Sequence, residues 1–237
     1  MDDFLFSAAQ SPTANRPLLG LTILVVEDSR FACEAMRLMC LRSGARIRRA
    51  DCLKSARRHL QVYRPSVAII DLGLPDGSGA ELIYELHNTT PRVEIIIGTS
   101  GDDFSESTAI AAGANGFLPK PLSSLSAFQE LILSCLPPDR CPPGPRILPD
   151  DMIAPDPIAY RDDMAHIADV LGDGVDDKMT DYVAQFASGV ARSAKDAALE
   201  QAAVQLAAER EKGLPSHASL ARLAGLVQTR LSDRVAM

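Results

Sequence analysis

Short apolar runs alternate with amphipathic segments along the first 137 residues of the chain. The strand candidates are runs rich in β-branched residues at 21–26, 46–50, 67–71, 93–97 and 115–119. Helical spacing of apolar residues covers 31–43, 53–63, 79–88, 104–112 and 122–136. Five strand–helix units of this length predict an α/β fold whose parallel sheet carries helices on both faces. The run "RIRRA" at 46–50 alternates and therefore suits a sheet edge, whereas three other runs are continuously apolar, as in buried central strands.

Proline marks the end of this α/β segment. Residues 136–157 contain eight of the sixteen prolines in the chain, which predicts a stiff, extended linker rather than a helix. The first twenty residues show no periodicity and are predicted to form a flexible tail. The expected organisation is a tail at 1–20, a doubly wound domain at 21–137, a linker at 138–157 and a helical region at 158–237.

The last eighty residues are rich in alanine and show helical spacing. Apolar residues recur every three or four positions at Met179, Val183, Phe186 and Val190, and again at Leu220, Leu223, Val227 and Leu231. This pattern predicts a small all-α region of three helices, over about 159–171, 175–211 and 217–235. Its apolar stripe requires a partner, which is either another of these helices or another chain.

Charge and composition limit the classes of function. The formal net charge is -7 and the pI is near 5.1, which argues against a general attraction to nucleic acid or anionic lipid. No apolar run approaches the ~18 residues of a membrane span, and the acidic start "MDDFLF" differs from a signal peptide. The five cysteines lack CxxC spacing, which disfavours a thiolate metal site and a disulfide framework. We expect a cytoplasmic, globular protein.

Three acids follow or close the first and third predicted strands. In a doubly wound sheet the carboxyl ends of these strands meet at the topological switch point, which brings Glu27 and Asp28 beside Asp71. Three clustered carboxylates repel one another and raise each other's pKa unless a cation joins them. Oxygen ligands of this kind suit Mg²⁺, which takes one or two carboxylates directly and keeps several waters.

Two further strand ends add a hydroxyl and an amine to this edge. The fourth run leads into "GTSGDD", which places the hydroxyl of Thr99 or Ser100 there, and the fifth leads into "LPKP", which places Lys120 there. Acids, a hydroxyl, a lysine and a divalent metal can together accept a phosphoryl group: a carboxylate attacks, and the cations stabilise the charge on the transferring oxygens.

Four separated motifs resemble the receiver domain of two-component response regulators. They are "ILVVEDS", "IIDLGLPDGSG", "IIIGTSGDD" and "GANGFLPKP", in this order, and the resemblance covers about residues 20–137. It implies a flavodoxin-like fold with strand order 2-1-3-4-5. It also implies a signalling protein that acts as an enzyme only in its own phosphorylation and dephosphorylation.

The resemblance assigns roles to individual residues. Asp71 becomes the phosphoacceptor and a member of the metal site. Asp28 becomes a direct Mg²⁺ ligand, Glu27 a ligand through water, and Gly73 a ligand through its backbone carbonyl. Thr99 is expected to hydrogen-bond the phosphoryl group and, with Phe117, to act in the switch. Lys120 is expected to pair with the phosphoryl group and to precede a cis peptide bond to Pro121.

The chain departs from the family at two positions in these motifs. Gly73, two residues after the acceptor, and Gly101, two after Thr99, lie where the family often carries larger side chains that control the attacking water. The helix predicted at 122–136 also lacks the alternating charges that one DNA-binding subfamily uses to dimerise. The sequence therefore leaves the phosphoryl lifetime and homodimerisation open.

The output of the helical region has several candidate explanations. One alternative is a DNA-binding transcriptional regulator with an atypical output domain. From residue 136 onward eleven Lys and Arg face sixteen Asp and Glu, whereas DNA binding requires a clustered basic face, so this alternative and a nucleic-acid partner are disfavoured. A degenerate histidine phosphotransfer bundle is an alternative, although His166 and His217 both lack the lysine-glycine pair that follows the active histidine in that family. The favoured hypothesis is a helical effector or dimerisation module that binds a protein partner. The phosphodonor is expected to be a histidine kinase or a phosphotransfer protein.

Overall fold

A computed structural model describes residues 11–102, 105–145, 151–172 and 176–233. Its centre is a five-stranded parallel sheet of β1 (Thr22–Val26), β2 (Arg46–Ala50), β3 (Val67–Asp71), β4 (Ile95–Ser100) and β5 (Gly116–Pro119). The strand order is β2-β1-β3-β4-β5, so the alternating strand β2 lies at an edge, as predicted. The predicted α/β class and doubly wound topology are confirmed.

Five helices cover the two faces of this sheet. They are α1 (Arg30–Ser43), α2 (Leu53–Val62), α3 (Gly79–Asn88), α4 (Ser105–Ala111) and α5 (Leu125–Cys135). One core lies between the sheet and α1 and α5, around Met36 and Phe128. The other lies between the sheet and α2, α3 and α4, around Leu53 and Ile83. Because both faces are buried, the inner strands are apolar throughout, and their carboxyl ends are where polar side chains emerge.

The fourth strand extends further along the chain than its apolar run. The sequence predicted a strand at 93–97, whereas β4 is Ile95–Ser100, because parallel pairing continues until Thr99 lies opposite Asp71. This extension fixes the hydroxyl residues of β4 beside the predicted phosphoacceptor. A short antiparallel hairpin, Gly73–Leu74 with Gly77–Ser78, then leads from β3 into α3.

The described part of the linker lies against the α/β domain. Pro138–Arg140 form a short 3-10 turn, so the prediction that this segment contains no helix was wrong for these three residues. Further along, Met152 bridges to Ser124, and Ile153 is buried in the core beside α1 and α5. The chain thus enters its last region from a fixed point near the start of α5.

The described residues of the C-terminal region form four helices, where the sequence predicted three. They are α6 (Pro157–Gly172), α7 (Asp177–Ala194), α8 (Ala197–Glu211) and α9 (His217–Ser232). The predicted single helix over 175–211 is wrong because the chain turns at Lys195, whose backbone is left-handed with φ of 60°. The Lys195 amide caps α7, and the Asp196 side chain accepts from the Leu199 amide to cap α8.

These four helices, called the helical unit below, share a core of their own. Each helix packs on two of the others, so that α6, α7, α8 and α9 close into a bundle. Its centre contains Met164, Val183, Leu199 and Leu223. Helices α6 and α7 also contact α1 of the α/β domain. None of the helices within the described residues has the length and apolar character needed to cross a membrane.

Candidate functional site

Three carboxylates meet at the carboxyl edge of the sheet. Glu27 and Asp28 follow β1, and Asp71 is the last residue of β3. One oxygen of each lies within 4.8 Å of an oxygen of the other two. Glu27 and Asp71 are only 2% and 6% exposed, respectively. The topology therefore brings together the three acids that the sequence placed at this edge.

Lys120 supplies a cation to this acidic cluster. Its Nζ atom lies 2.7 Å from Glu27 Oε2 and 3.0 Å from Asp71 Oδ2. Burial alone lowers the pKa of Lys120, but the charges of Asp71 and Glu27 outweigh it and raise that pKa, so the amine stays protonated. The Lys120–Pro121 peptide bond is cis, as predicted.

Burial and mutual repulsion make negative charge unfavourable on two of the acids beside this lysine. Burial raises the pKa of Glu27 well above its usual value, and the charges of Asp71 and Asp28 add to the effect. Burial followed by the charge of Asp71 raises the pKa of Asp28 to about 7. A divalent cation would relieve this repulsion, and clustered carboxylate oxygens are the ligands that Mg²⁺ prefers. The donor set thus fits the predicted metal.

The two hydroxyls of β4 have different surroundings. Thr99 is fully buried, and its Oγ1 donates a 2.6 Å hydrogen bond to the Leu118 carbonyl. Ser100 lines a cavity together with the acids, and its Oγ accepts from the Asp102 amide. Phe117 on β5 is partly buried and packs on the side of the sheet that α4 covers. Of these two residues, Ser100 lines the cavity and Thr99 does not.

The helical unit closes one side of this site. A cavity of about 480 Å³ lies between the acids and α7, whose Gln185, Ser188 and Arg192 form part of its wall. Gly73 and Gly101, where the family often carries larger side chains, lie where α7 approaches the sheet. A Cβ atom on Gly73 would lie 2.5 Å from Gln185 Nε2, and one on Gly101 would lie 3.7 Å from the Cα atom of Gly189.

Asp163 on α6 anchors the helical unit to the start of α1. Its carboxylate accepts from Ser29 Oγ at 2.7 Å, from the Arg30 amide at 2.7 Å and from the Phe31 amide at 3.1 Å. The side chain is buried, which raises its pKa, and the hydrogen bonds oppose that shift. A carboxylate at a helix N-terminus satisfies free amides and complements the helix dipole. The first turn of α1 is thus completed from another part of the chain.

Helix α7 makes two further polar contacts with the site. The Tyr182 hydroxyl donates a 2.7 Å hydrogen bond to Asp28 Oδ2, and Arg192 donates to the Gly101 carbonyl. Burial and the charge of Asp28 raise the pKa of Tyr182, so this hydroxyl remains a donor. His166 Nε2 lies 3.2 Å from the Tyr182 hydroxyl. His217, the other histidine considered above, is exposed at the start of α9 and away from the site.

Sequence reasoning did not single out Asp163, Tyr182, Gln185 or Arg192. Each lies in a helical pattern whose polar face resembles an ordinary solvated surface. Their partners are 91 to 154 residues distant along the chain, so no local spacing links the two ends of these contacts. The glycines at 73 and 101 were the available signal, since a missing side chain allows another backbone to approach.

Comparisons with known proteins agree with this geometry. The family model for the response regulator receiver domain matches residues 23–132. The chain is 30% identical over 99 residues to the KDP operon transcriptional regulatory protein KdpE of Escherichia coli K12, covering 42% of this chain and 44% of that protein. It is 28% identical over 102 residues to the virulence transcriptional regulatory protein PhoP of Shigella flexneri, covering 43% and 46%, respectively. The chain thus aligns with under half the length of these relatives.

Solved structures that resemble this chain also cover just under half of it. A putative response regulator from Chloroflexus aurantiacus J-10-fl is 27% identical, with a TM-score of 0.43, over 47% of this chain and 91% of that one. The receiver domain of a Pseudomonas aeruginosa PAO1 sensor histidine kinase, described with a magnesium ion in its active site cleft, is 23% identical with a TM-score of 0.44. That match covers 48% of this chain and 95% of the other.

The matched segment begins within β1 and ends within α5, so it contains all of the sheet except Thr22, together with the cluster of Glu27, Asp28, Asp71 and Lys120. The helical unit lies outside it. On its sheet order, its site and its match to the family model, the segment 23–132 of this chain belongs to the response regulator receiver domain family.

Proposed function

We propose that Asp71 accepts a phosphoryl group in a Mg²⁺-dependent reaction and that this modification controls the helical unit. The supporting observation is the position of the Asp71 carboxylate, with Lys120 Nζ at 3.0 Å and the acids Glu27 and Asp28 beside it. In this proposal the chain is a response regulator of a two-component system or phosphorelay, and its donor is a histidine kinase, a phosphotransfer protein or a small phosphodonor.

In the proposed reaction a carboxylate oxygen of Asp71 attacks phosphorus. The bond between phosphorus and the donor histidine nitrogen breaks, and its electron pair stays on that nitrogen, which takes a proton from solvent. Asp71 then carries a mixed anhydride with phosphate. Lys120 would pair with the transferred oxygens. Asp28 and the Gly73 carbonyl would hold the metal, and Glu27 would act through water. The bound metal would neutralise charge on the transferring group.

Thr99 and Phe117 are proposed to relay this change. An acyl phosphate brings strong acceptor oxygens to the strand ends. These oxygens would compete with the Leu118 carbonyl for the hydrogen bond that the Thr99 hydroxyl now donates to it. Leu118 follows Phe117 on β5, so a shift of the Leu118 backbone would also move Phe117. In this proposal the chain performs no chemistry beyond its own phosphorylation and dephosphorylation.

The helical unit is proposed to bind a protein partner. A second candidate is transcriptional regulation, because the relatives named above are titled transcriptional regulators. The acidic balance of residues 136–237 favours the protein partner. Salt-dependent DNA binding by the full-length phosphorylated chain would favour transcription, and co-purified proteins that change with phosphorylation would favour the protein partner.

The test of the phosphoacceptor is intact-protein mass spectrometry after incubation with Mg²⁺ and acetyl phosphate. We expect one added phosphoryl group on the wild type and none on Asp71→Asn. The matched control is Asp76→Asn, which changes an exposed acid in the next loop that caps α2, a role that asparagine also fills. Equal labelling of Asp71→Asn and wild type would refute the assignment.

A further inference from the structure

Two side chains of α7 contact two of the groups proposed to hold the metal. The Tyr182 hydroxyl lies 2.7 Å from Asp28 Oδ2. The Gln185 carboxamide lies against the backbone of Gly73, since a Cβ atom there would be 2.5 Å from its Nε2 and 3.2 Å from its Oε1. Both contacts come from one face of the same helix, three residues apart. The helical unit thus reaches the metal site at two separate points.

A divalent cation at this site requires space beyond its protein ligands. Mg²⁺ takes near-octahedral geometry with oxygens at roughly 2.1 Å and keeps several waters when only one or two carboxylates bind it. Those waters would occupy the cavity side of Asp28 and Gly73, because the opposite side is the packed end of the sheet. Gln185 lines the cavity of about 480 Å³ beside Asp28 and Gly73. Tyr182 lines a second cavity whose wall also includes Asp28.

We propose that α7 competes with a hydrated divalent cation for Asp28 and Gly73. The docked helical unit then weakens metal binding, and a bound metal weakens the contact of α7 with the receiver domain by the same factor. The inference rests on the proposed function, since it takes Asp28 and Gly73 as metal ligands. In this inference Tyr182, a residue of the helical unit, affects the phosphorylation site through its hydrogen bond to the metal ligand Asp28.

Tyr182 has a second partner available when the metal takes Asp28. His166 Nε2 lies 3.2 Å from its hydroxyl, so the tyrosine can donate to this imidazole nitrogen when it loses the stronger hydrogen bond to the Asp28 carboxylate. Asp163 and Arg192 hold the unit at two other places. The exchange therefore requires α7 to loosen near Tyr182 and does not require the helical unit to detach.

The test compares Mg²⁺ affinities of full-length, unphosphorylated variants by calorimetry. Tyr182→Phe removes only the hydroxyl, and hydrogen bonds to charged groups are strong enough for its loss to tighten Mg²⁺ binding about tenfold. The matched control is Tyr160→Phe, which removes a hydroxyl that donates to Asp196 within the helical unit. Gln185→Ala is expected to tighten binding as well, and Gln205→Ala on α8 is its control. Neither control is expected to change the affinity.

Hydrogen exchange supplies a second measurement. Saturating Mg²⁺ is expected to speed exchange of the amides of α7, at 177–194, and to leave α8 unchanged. Weaker or unchanged Mg²⁺ binding by Tyr182→Phe, or greater protection of α7 with metal, would overturn the competition. In the first case the hydroxyl would be orienting Asp28 for the metal.

A further variant separates this inference from the proposed function. If Asp28→Ala binds Mg²⁺ as well as wild type does, the metal site itself is wrong, and the competition falls with it. If Asp28→Ala loses Mg²⁺ binding while Tyr182→Phe binds as wild type does, the metal site stands and only the competition is overturned.

Discussion

Asp28 is the residue at which the receiver domain and the helical unit meet. It follows β1, it belongs to the acidic cluster, and it accepts a hydrogen bond from the Tyr182 hydroxyl. Asp28, Asp71 and Lys120 could all be predicted because each is a polar residue at the end of an apolar strand. Tyr182 could not, because a tyrosine on an amphipathic helix has many ordinary roles, and its partner lies 154 residues away.

Removing Asp28 should separate metal binding from stability. Asp28→Ala is expected to lose Mg²⁺-dependent phosphorylation of Asp71, since a ligand is removed. Without metal its melting temperature should be no lower than that of wild type, because burial and the nearby charge of Asp71 make an ionised Asp28 unfavourable. Thermal melts in EDTA and labelling by acetyl phosphate measure the two effects. A clearly lower melting temperature in EDTA would show that Asp28 stabilises the metal-free fold.

At the scale of elements, the strands and helices of the receiver domain follow their sequence patterns closely. The helices of the helical unit follow theirs only in part. The patterns of β1 to β3 and α1 to α3 are local, so their bounds agreed within a residue or two. The break between α7 and α8 was missed, because alanine-rich sequence continues on both sides of Lys195. A left-handed lysine followed by a capping aspartate is a short signal that helical periodicity hides.

Asp196 secures this break and joins three helices. Its carboxylate caps α8 and accepts from Tyr160 on α6 at 2.8 Å and from Arg230 on α9 at 2.7 Å. Hydrogen bonds from Arg230 lower the pKa of Asp196 to about 2. The carboxylate therefore stabilises the fold above its ordinary pKa, and that stability is lost as the pH falls from about 4 to about 2.

The expected consequence is an acid-sensitive helical unit. Asp196→Asn should lower the free energy of unfolding at pH 7 by about 1–3 kcal/mol, the usual contribution of hydrogen bonds to a charged group. Between pH 4 and pH 2, the free energy of unfolding should also fall less for the variant than for wild type. Asp176→Asn, which changes the cap of α7, is the matched control. Urea unfolding followed by circular dichroism at several pH values is the measurement, and parallel pH curves for wild type and Asp196→Asn would contradict this prediction.

At the scale of the whole molecule, the docking of the helical unit on the receiver domain is what the sequence did not predict. Separate cores account for the two units, two in the receiver domain and one in the helical unit, and each follows from apolar patterning. Their contact includes an edge-to-face pair of Phe31 with Tyr160 and a few polar residues, among which Asp163 accepts from two amides in the first turn of α1. Such contacts leave no periodic trace, because each requires one side chain and a distant backbone. The structure nevertheless makes this docking depend on identifiable single residues.

Asp163→Ala is therefore expected to undock the helical unit while both units stay folded. The change leaves the Arg30 and Phe31 amides and Ser29 Oγ without their acceptor, which should weaken docking by about 3 kcal/mol. The matched control is Asp162→Ala, whose exposed pair with Arg30 at 3.1 Å should contribute little. Small-angle scattering should show a larger radius of gyration for Asp163→Ala alone, and hydrogen exchange should show faster exchange at the start of α1. Helix content by circular dichroism should stay close to that of wild type, because the core of the helical unit contains no residue of the receiver domain. An unchanged radius together with unchanged protection of α1 would mean that docking rests on the contacts of α7 instead.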